Sequence, residues 1–432
     1  MTAQRKPAPR RTVQAEHRSA QPAGIETAHA VGIMTGTSAD AIDVALTRVV
    51  EDGARHRSTL VAFSSRDFED EMRGEILAAQ EGTLPMRALL ALGVKLATLA
   101  AEVVREALAA PSAIGARVEV VGFHGQTVFH DPRGERSGAR FTAQVGEPSV
   151  MAAELGFPIV SNFRMADVMA GGEGAPLVPR FDWNQFGSAD ADRVLLNLGG
   201  ISNLTRLLPG APLARLVAFD CGPANMLLDG IMGSVGAGAG GAARASGTGR
   251  GAATTIPRYD AGGEIAARGR ADLDLVREFL GEPYFSRRPP KSAGREEFGA
   301  EYLKRFLART EGKALEDRLR TAVAIAAGAV AKGIALSSAE RGKLPDEIIV
   351  SGGGARNVTL LRAIEAAVPG ARLAPSDAHG VPVDAKEAMA FAFLAHETWR
   401  GRPGNVPSAT GASREVVLGS ITPPPYGTAT RG

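Results

Sequence analysis

The feature that most constrains this chain is a pattern that occurs twice. Ala30-Val31-Gly32-Ile33-Met34 reads as a buried strand, followed by a turn-rich stretch over residues 35–40 and a second strand over 43–49. About 160 residues later the order returns: a strand over 193–198, a tight turn at Gly199-Gly200-Ile201-Ser202, and a returning strand over 203–208. Two copies of strand, small-residue turn and strand point to two related domains facing each other across a cleft. Small residues in both turns let backbone N–H groups approach phosphate oxygens, so such a cleft suits a nucleotide. Two unrelated hairpins would give the same pattern, and the repeat alone leaves both readings open.

The chain has 432 residues, enough for two separate cores, with 44% hydrophobic and 22% charged residues. A formal net charge of +2 gives no reason to expect nucleic acid or a membrane surface as partner. One cysteine, Cys221, excludes an intrachain disulfide and cysteine-based zinc clusters, and fits a reducing compartment. The longest apolar stretch, residues 321–336, is shorter than a bilayer span and carries Lys332. Residues 1–28 contain Arg5, Lys6, Arg10, Arg11 and Arg18 among Pro, Ala and Gln, with no apolar run. They read as a disordered basic tail, with an organelle transit peptide as the other reading. A cytoplasmic location is expected.

The remaining organisation is mixed. A helix is predicted over about 89–109, a buried strand over 118–123, and a small-residue helix over 321–337. Residues 230–255, rich in Gly, Ala and Ser, read as a flexible surface loop. Within them Gly236, Gly238 and Gly241 satisfy the GxGxxG spacing, but no strand leads into the turn, so the dinucleotide reading fails. No GxxxxGK[ST] loop is present, so an ATP site must be built differently. The strand 347–350 runs into Ser351-Gly352-Gly353-Gly354-Ala355-Arg356-Asn357, a turn open enough for a nucleotide and equally compatible with no function.

Six polar constellations stand out, each with an ordinary explanation beside the chemical one. Gly36, Thr37 and Ser38 offer donors suited to phosphate and Asp40 could hold a metal-bound water, or this is simply a satisfied hairpin turn. His124-Gly125-Gln126-Thr127 ends a buried strand, where a lone histidine is usually structural. Arg164 and Asp167, before a Gly/Pro-rich loop over 171–179, form either a local ion pair or a site with a general base. Asp220 ends a strand in Asp-Cys-Gly-Pro. Pro289-Pro290 leads a rigid turn presenting Lys291 and Arg295. Glu387 sits in the first turns of a helix, where a carboxylate normally just favours the dipole.

Taken in order, these segments resemble the anhydro-N-acetylmuramic acid kinase family. The patterns run M-[ST]-G-T-S-x-D-x-[IV]-D, H-G-Q-T, R-x-x-D-x-x-x-G-G-x-G-A-P-L-x-P, N-x-G-G-I-x-N, D-x-G-P-x-N-x-x-x-D and P-P-K-S-x-G-R-E. The last is G-N-x-P-x-x-T-G-A, here Gly404 to Ala412 by position. The match runs from about residue 30 to 423. Ala39 and Ala41 stand where the family often has Leu and Gly, Glu173 replaces Gln, and Cys221 replaces a frequent Thr; Ala41 and Glu173 would bear on the sugar or phosphate site.

The resemblance implies an α/β fold of two actin-like (ribonuclease H-like) domains flanking a nucleotide and substrate cleft. The first would span 29–145 with 384–423 and the second 146–383, with 230–255 an insertion and 424–432 a disordered tail. It implies ATP with Mg²⁺, a small sugar substrate and room for a homodimer. The reaction would open 1,6-anhydro-N-acetylmuramic acid with water and phosphorylate it to N-acetylmuramic acid 6-phosphate during peptidoglycan recycling. Asp167 would be the general base and Glu387 a helper orienting water or sugar. Gly36, Thr37, Ser38, Asn197, Gly199, Gly200, Gly352, Gly353, Gly354 and Asn357 would hold the nucleotide. Asp40, Asp43, His124, Gln126, Arg164 and Asp220 would hold the sugar, with Asp40 also reaching the metal through water. A kinase of another sugar hydroxyl and a non-catalytic sugar sensor are the competing readings.

Overall fold

The computed structural model describes residues 12–14, 27–36, 38–52, 55–243, 259–338 and 343–425. The chain divides into two compact units, Met1–Phe186 with Gly380–Gly432, and Gly187–His379. Fourteen strands are described. In the first unit they are β1 (Thr12–Gln14), β2 (Thr27–Thr35), β3 (Ala41–Asp52), β4 (Arg55–Asp67), β5 (Val118–Phe123), β6 (Gln126–Asp131), β7 (Phe141–Val145) and β8 (Ile159–Ser161). The second unit holds β9 (Arg193–Leu198), β10 (Ile201–Leu207), β11 (Val217–Pro223), β12 (Glu347–Ser351) and β13 (Arg372–Pro375), and β14 (Ser420–Thr422) returns to the first.

The two main sheets share one plan. The first runs β1-β4-β3-β2-β5-β8-β14 and the second β11-β10-β9-β12-β13. In each, three antiparallel strands are followed by two that join in parallel: β2 to β5 to β8, and β9 to β12 to β13. Without the edge strands β1 and β14 the order is third, second, first, fourth, fifth in both. The duplication suspected from the two hairpins is therefore real, and the fold is α/β with two actin-like units.

Several boundaries differ from the sequence reading. Residues 146–186 belong to the first unit rather than the second, because β8 extends its sheet by pairing in parallel with β5. Of the supposed tail, Thr12–Gln14 pairs with β4 and β2 begins at Thr27, while the remainder of 1–26 lies outside the described residues. Residues 230–243, expected as loop, continue the helix Asn225–Ala243, since Gly and Ala are tolerated in a helix that tertiary contacts support; 244–258 lie outside the described residues, as do 426–432. The helix predicted over 321–337 begins earlier, as Leu315–Ser337. By length and composition it is long and apolar enough to cross a membrane, and its buried residues, from Leu319 to Ile334, belong to the core of the second unit.

Glycines decide how helices meet these sheets. On β2, Val31 and Ile33 point into a core with Leu92, Leu96, Val103 and Val104 of the helix Met86–Leu108. Gly32 faces the opposite way and is the register partner of Gly122 on β5. A Cβ on Gly32 would stand 1.9 Å from the Ala388 carbonyl oxygen, and one on Gly122 2.5 Å from that of Phe391. The helix Lys386–Trp399 thus lies with its backbone directly on the sheet. In the second unit Gly222 and Gly333 allow a similarly close approach between β11 and the helix Leu315–Ser337: a Cβ on Gly222 would stand 2.7 Å from Phe285 Cε1 and 2.8 Å from Ala329 Cβ, and one on Gly333 2.5 Å from Cys221 Sγ.

Gly32→Ala is expected to cost at least about 2 kcal/mol in chemical denaturation, since backbone atoms must move to admit the methyl group. Gly74→Ala, in the helix Asp70–Gln80 with open space around its α-carbon, is expected to gain about 0.5–1 kcal/mol. Equal effects at the two positions would mean that the close approach of helix and sheet is not limiting.

Candidate active site

Asp167 is a tightly held carboxylate of the first unit. It lies in the short helix Met165–Met169 and is fully buried. Its Oδ1 accepts from Asn405 Nδ2 and from the Thr410 hydroxyl, both at 2.7 Å, and its Oδ2 accepts from the Gly174 backbone N–H at 2.8 Å. Three donors use three of about four lone-pair sites on a carboxylate, leaving one on Oδ2. A Cβ on Gly172 would stand 2.2 Å from that oxygen, so glycine there keeps the approach to Oδ2 free of a side chain. The Glu173 N–H donates to the Thr410 carbonyl at 2.8 Å, which ties the 171–174 loop to the segment that supplies the other donors.

Arg164 and His124 form the next layer. The His124 ring is buried, with Nδ1 2.7 Å from the Gly125 carbonyl and Nε2 3.0 Å from Arg164 Nε. Only a neutral ring with its proton on Nδ1 satisfies both contacts, and burial followed by the Arg164 charge holds its pKa well below the usual value. Arg164 Nη1 donates in turn to the Gly174 carbonyl at 2.8 Å. Arg164 and Asp167 are not a local ion pair: they grip the carbonyl and the N–H of the same residue.

Beside this layer lies a cavity of about 330 Å³ lined by His124, Thr142, Gln144, Ser161 and Asn162 among others. Asn162 has a left-handed backbone, φ 55°, a conformation that asparagine tolerates better than most residues. The volume is at the lower end of ligand pockets, and the lining offers amide and hydroxyl groups suited to a sugar.

The first turn is supported from below. Gln126 Nε2 donates to the Gly36 carbonyl at 3.2 Å, and Thr35 Oγ1 to that of Gly125 at the same distance. Gln126 is thus spent in part on the turn expected to hold phosphate, and its buried Oε1 has no hydrogen-bond partner among the described residues. Ala39 is left-handed at φ 56°, and Thr37 lies outside the described residues. Asp40 is mostly exposed and 3.1 Å from Arg73 Nη2. No group of three His, Cys, Asp or Glu side chains suited to a metal occurs among the described residues. A nucleotide-borne Mg²⁺ needs only one or two carboxylates besides phosphate, and Asp40 fits that requirement.

Asp43 and Glu387 meet electrostatically. Asp43 accepts from Ser65 Oγ at 2.6 Å, yet burial, then the charges of Glu387, Asp384 and Asp67, push its pKa up to about 7. Glu387 stands in the first turn of the helix Lys386–Trp399, next to Lys386, which forms a buried ion pair with Asp182 at 2.9 Å.

In the second unit the small-residue turns gather at the carboxyl ends of the parallel strands β9 and β12, where α/β sheets usually bind ligands. Gly352 is left-handed at φ 79°, and a Cβ on it would stand 2.4 Å from Asn197 Oδ1. Asn225 Nδ2 donates to the Leu198 carbonyl at 3.1 Å, and the Gly199 and Gly200 carbonyls accept from the N–H groups of Asn225 and Met226. Gly353 and Gly354 both border the Asn225 amide. Asn357, expected on the nucleotide, instead caps the helix Val358–Ala367, its Oδ1 accepting from the Leu360 N–H at 2.9 Å.

Two further residues stand differently from the sequence reading. Asp220 Oδ2 accepts from the Ala293 N–H at 2.8 Å and so helps anchor the 289–294 turn. Lys291 is buried, not presented: its Nζ donates to the Tyr284 carbonyl at 3.1 Å and lies 4.3 Å from that ring. A cation whose charge is desolvated here is held by aromatic faces and one carbonyl, which is an anchoring role. Arg295 begins the short helix Arg295–Phe298.

Comparison with known proteins shows the family. The family model described as anhydro-N-acetylmuramic acid kinase matches residues 28–424. The chain belongs to the anhydro-N-acetylmuramic acid kinase family. It is 40% identical over 400 residues to the anhydro-N-acetylmuramic acid kinase of Salinibacter ruber (strain DSM 13855 / M31), covering 91% of this chain and 96% of that one. Its identity to the protein of that name from Synechococcus sp. (strain CC9605) is 39%, over 90% of this chain and 98% of the relative. For the one from Bacillus cereus (strain Q1) it is 34%, over 91% and 98%.

Within this family member, Asn405, Thr410, Gly172 and Asn225 carry roles that sequence reasoning left unassigned, although each lies in a motif quoted above. The raised pKa of Asp43 has a testable sign. An unfolded Asp titrates near 3.9, so between about pH 4 and pH 7 the folded chain holds a proton that the unfolded chain has lost. Stability therefore falls as pH rises through that window. Asp43→Asn is expected to stabilise the protein in urea at about pH 8 and to be near neutral at about pH 4; an equal effect at both would contradict the assigned titration.

Proposed function

We propose that the chain is an ATP-dependent kinase that converts 1,6-anhydro-N-acetylmuramic acid and water to N-acetylmuramic acid 6-phosphate, with ADP as co-product, in peptidoglycan recycling. The observation that carries this reading is the family match over residues 28–424, with Asp167 held by donors from three places in the sequence. The chemistry balances as one displacement coupled to one phosphoryl transfer. A water oxygen attacks the anomeric carbon and the bond from that carbon to O6 breaks. O6 takes the γ-phosphoryl group, and ADP leaves with the electrons of the broken P–O bond.

Asp167 receives the proton of the attacking water on Oδ2, the oxygen with a lone pair to spare. Because Asp167 is buried, this water enters with the sugar rather than from bulk solvent. The sugar occupies the cavity beside His124, with Thr142, Gln144, Ser161 and Asn162 reading its hydroxyl and amide groups. Neutral His124 holds Arg164, and Arg164 holds the Gly174 carbonyl, so the base is fixed before substrate arrives. Glu387 and Asp43 assist with sugar or water. In the second unit the turns at 199–200 and 352–354, with Asn197, hold the nucleotide. Mg²⁺, reaching Asp40 through water, would neutralise charge on the phosphates. A cytoplasmic location, where ATP is abundant, suits this reaction.

Incubation with the anhydro-sugar and Mg-ATP in ¹⁸O-water, read by mass spectrometry before anomeric exchange, is expected to give a phosphorylated sugar with one ¹⁸O. A phosphorylated product without ¹⁸O would make the enzyme an ordinary sugar kinase. Asp167→Asn removes the base and sets an amide against the donors around it. It is expected to lower kcat by at least about 10²–10⁴-fold while leaving nucleotide Kd within about twofold; near-normal kcat would remove Asp167 from the mechanism.

A further inference from the structure

The β6–β7 hairpin pairs as its own two-stranded sheet, apart from the main sheet of the first unit. Its connecting loop is built around Asp131, whose carboxylate accepts from the N–H groups of Glu135, Arg136 and Ser137 at 2.9–3.1 Å and from Ser137 Oγ at 2.8 Å. Phe129 and Phe141 stack at 5.0 Å across the hairpin, with Arg136 over Phe129. The loop is therefore preformed, and it presents Arg133 in a fixed place.

Arg133 Nε and Nη2 both meet Glu173 Oε1 at 2.8 Å. His130, on β6, lies 2.9 Å from Thr142 Oγ1 and its ring also bonds to the Glu173 backbone. Burial and the Arg164 charge hold His130 at about 4, so near neutral pH this second contact is between uncharged groups. Glu173 sits at a sensitive point: its own N–H is bonded to Thr410, and the next N–H, of Gly174, is bonded to Asp167. Glutamate at this position is a departure from the glutamine usual in the family motif.

We propose that Glu173 is a positioning residue, latched by Arg133 to the β6–β7 hairpin so that the 171–174 loop keeps the Gly174 N–H and the Thr410 hydroxyl on Asp167. The proposal rests on Asp167 as the base. Arg133 is about two-fifths exposed and Glu173 about one-fifth, with side-chain values of 42% and 19%. A pair so placed adds little to global stability. Its effect is local, where a small displacement of a base is costly.

The test is a double-mutant cycle of Arg133→Ala and Glu173→Ala, with kcat, both KM values and Tm for each enzyme. Each single variant is expected to lose about three- to tenfold in kcat with KM for ATP unchanged and Tm within about 2 °C, and the double variant to lose no more than the worse single. Glu173→Gln, whose amide oxygen still accepts from Arg133, is expected to restore kcat to within about twofold. Losses that multiply in the double variant, an unchanged or raised kcat, or a kcat that follows Tm would overturn the latch. Amide hydrogen exchange at residues 172–174 reads the same contact without turnover. Arg133→Ala is expected to speed it about three- to tenfold, and unchanged exchange would overturn the proposal. Absence of labelled product from the wild type, with faster exchange in Arg133→Ala, would instead count against the proposed reaction alone.

Discussion

The contact on which the first unit depends is that of a helix backbone against two glycines. Gly32 and Gly122 stand side by side on β2 and β5, and the helix Lys386–Trp399 lies on them too closely for any side chain between. That contact brings a segment from the far end of the sequence back across the sheet and fixes its direction. Glu387 is then set at the start of the helix, near Asp43, and the chain leaving the helix is aimed at the region where Asn405 and Thr410 reach Asp167. Larger residues at the two glycines would widen the gap between layers and move every one of these groups.

Around Asp167 the structure uses polar contacts for the same purpose. Its donors Asn405, Thr410 and Gly174, together with Arg164 and His124, form a connected set. The groups that donate directly to Asp167 are uncharged, so its orientation is held by neutral donors. The second unit follows a parallel logic with less charge. Asn225 donates to the end of β9 and borders the glycines that follow β12, while Asn197 lies where a side chain on Gly352 would stand.

Much of this was legible in the sequence. The repeated hairpins raised two related domains as one of two readings, which the shared strand order decides, and the strands β5 and β12 fell where their apolar runs lie. The ordered set of motifs carried the family. The boundary at Phe186 was not legible, because membership of β8 in a sheet depends on which strand it pairs with, and three residues carry no such information. The helix over 230–243 was missed because Gly and Ala content speaks only of local propensity. Lys291 read as presented on a turn because charged side chains near Pro usually face solvent; burial against Tyr284 corrects that, while the hydrogen bond of Asp220 to the Ala293 N–H was not visible in the local sequence. Asn405 and Thr410 were visible as a motif and mute as to role, since nothing local links them to Asp167.

That last separation has a consequence for how the enzyme is made. Asn405 is 238 positions after Asp167. A ribosome adding about 5–20 residues per second needs on the order of 12–50 s to cover that distance. Throughout this interval a nascent chain carries the carboxylate without two of the donors that orient it. The orientation of Asp167 is thus completed late in synthesis, and a chain cut short before residue 405 keeps most of the sheet that frames this carboxylate but not the groups that aim it.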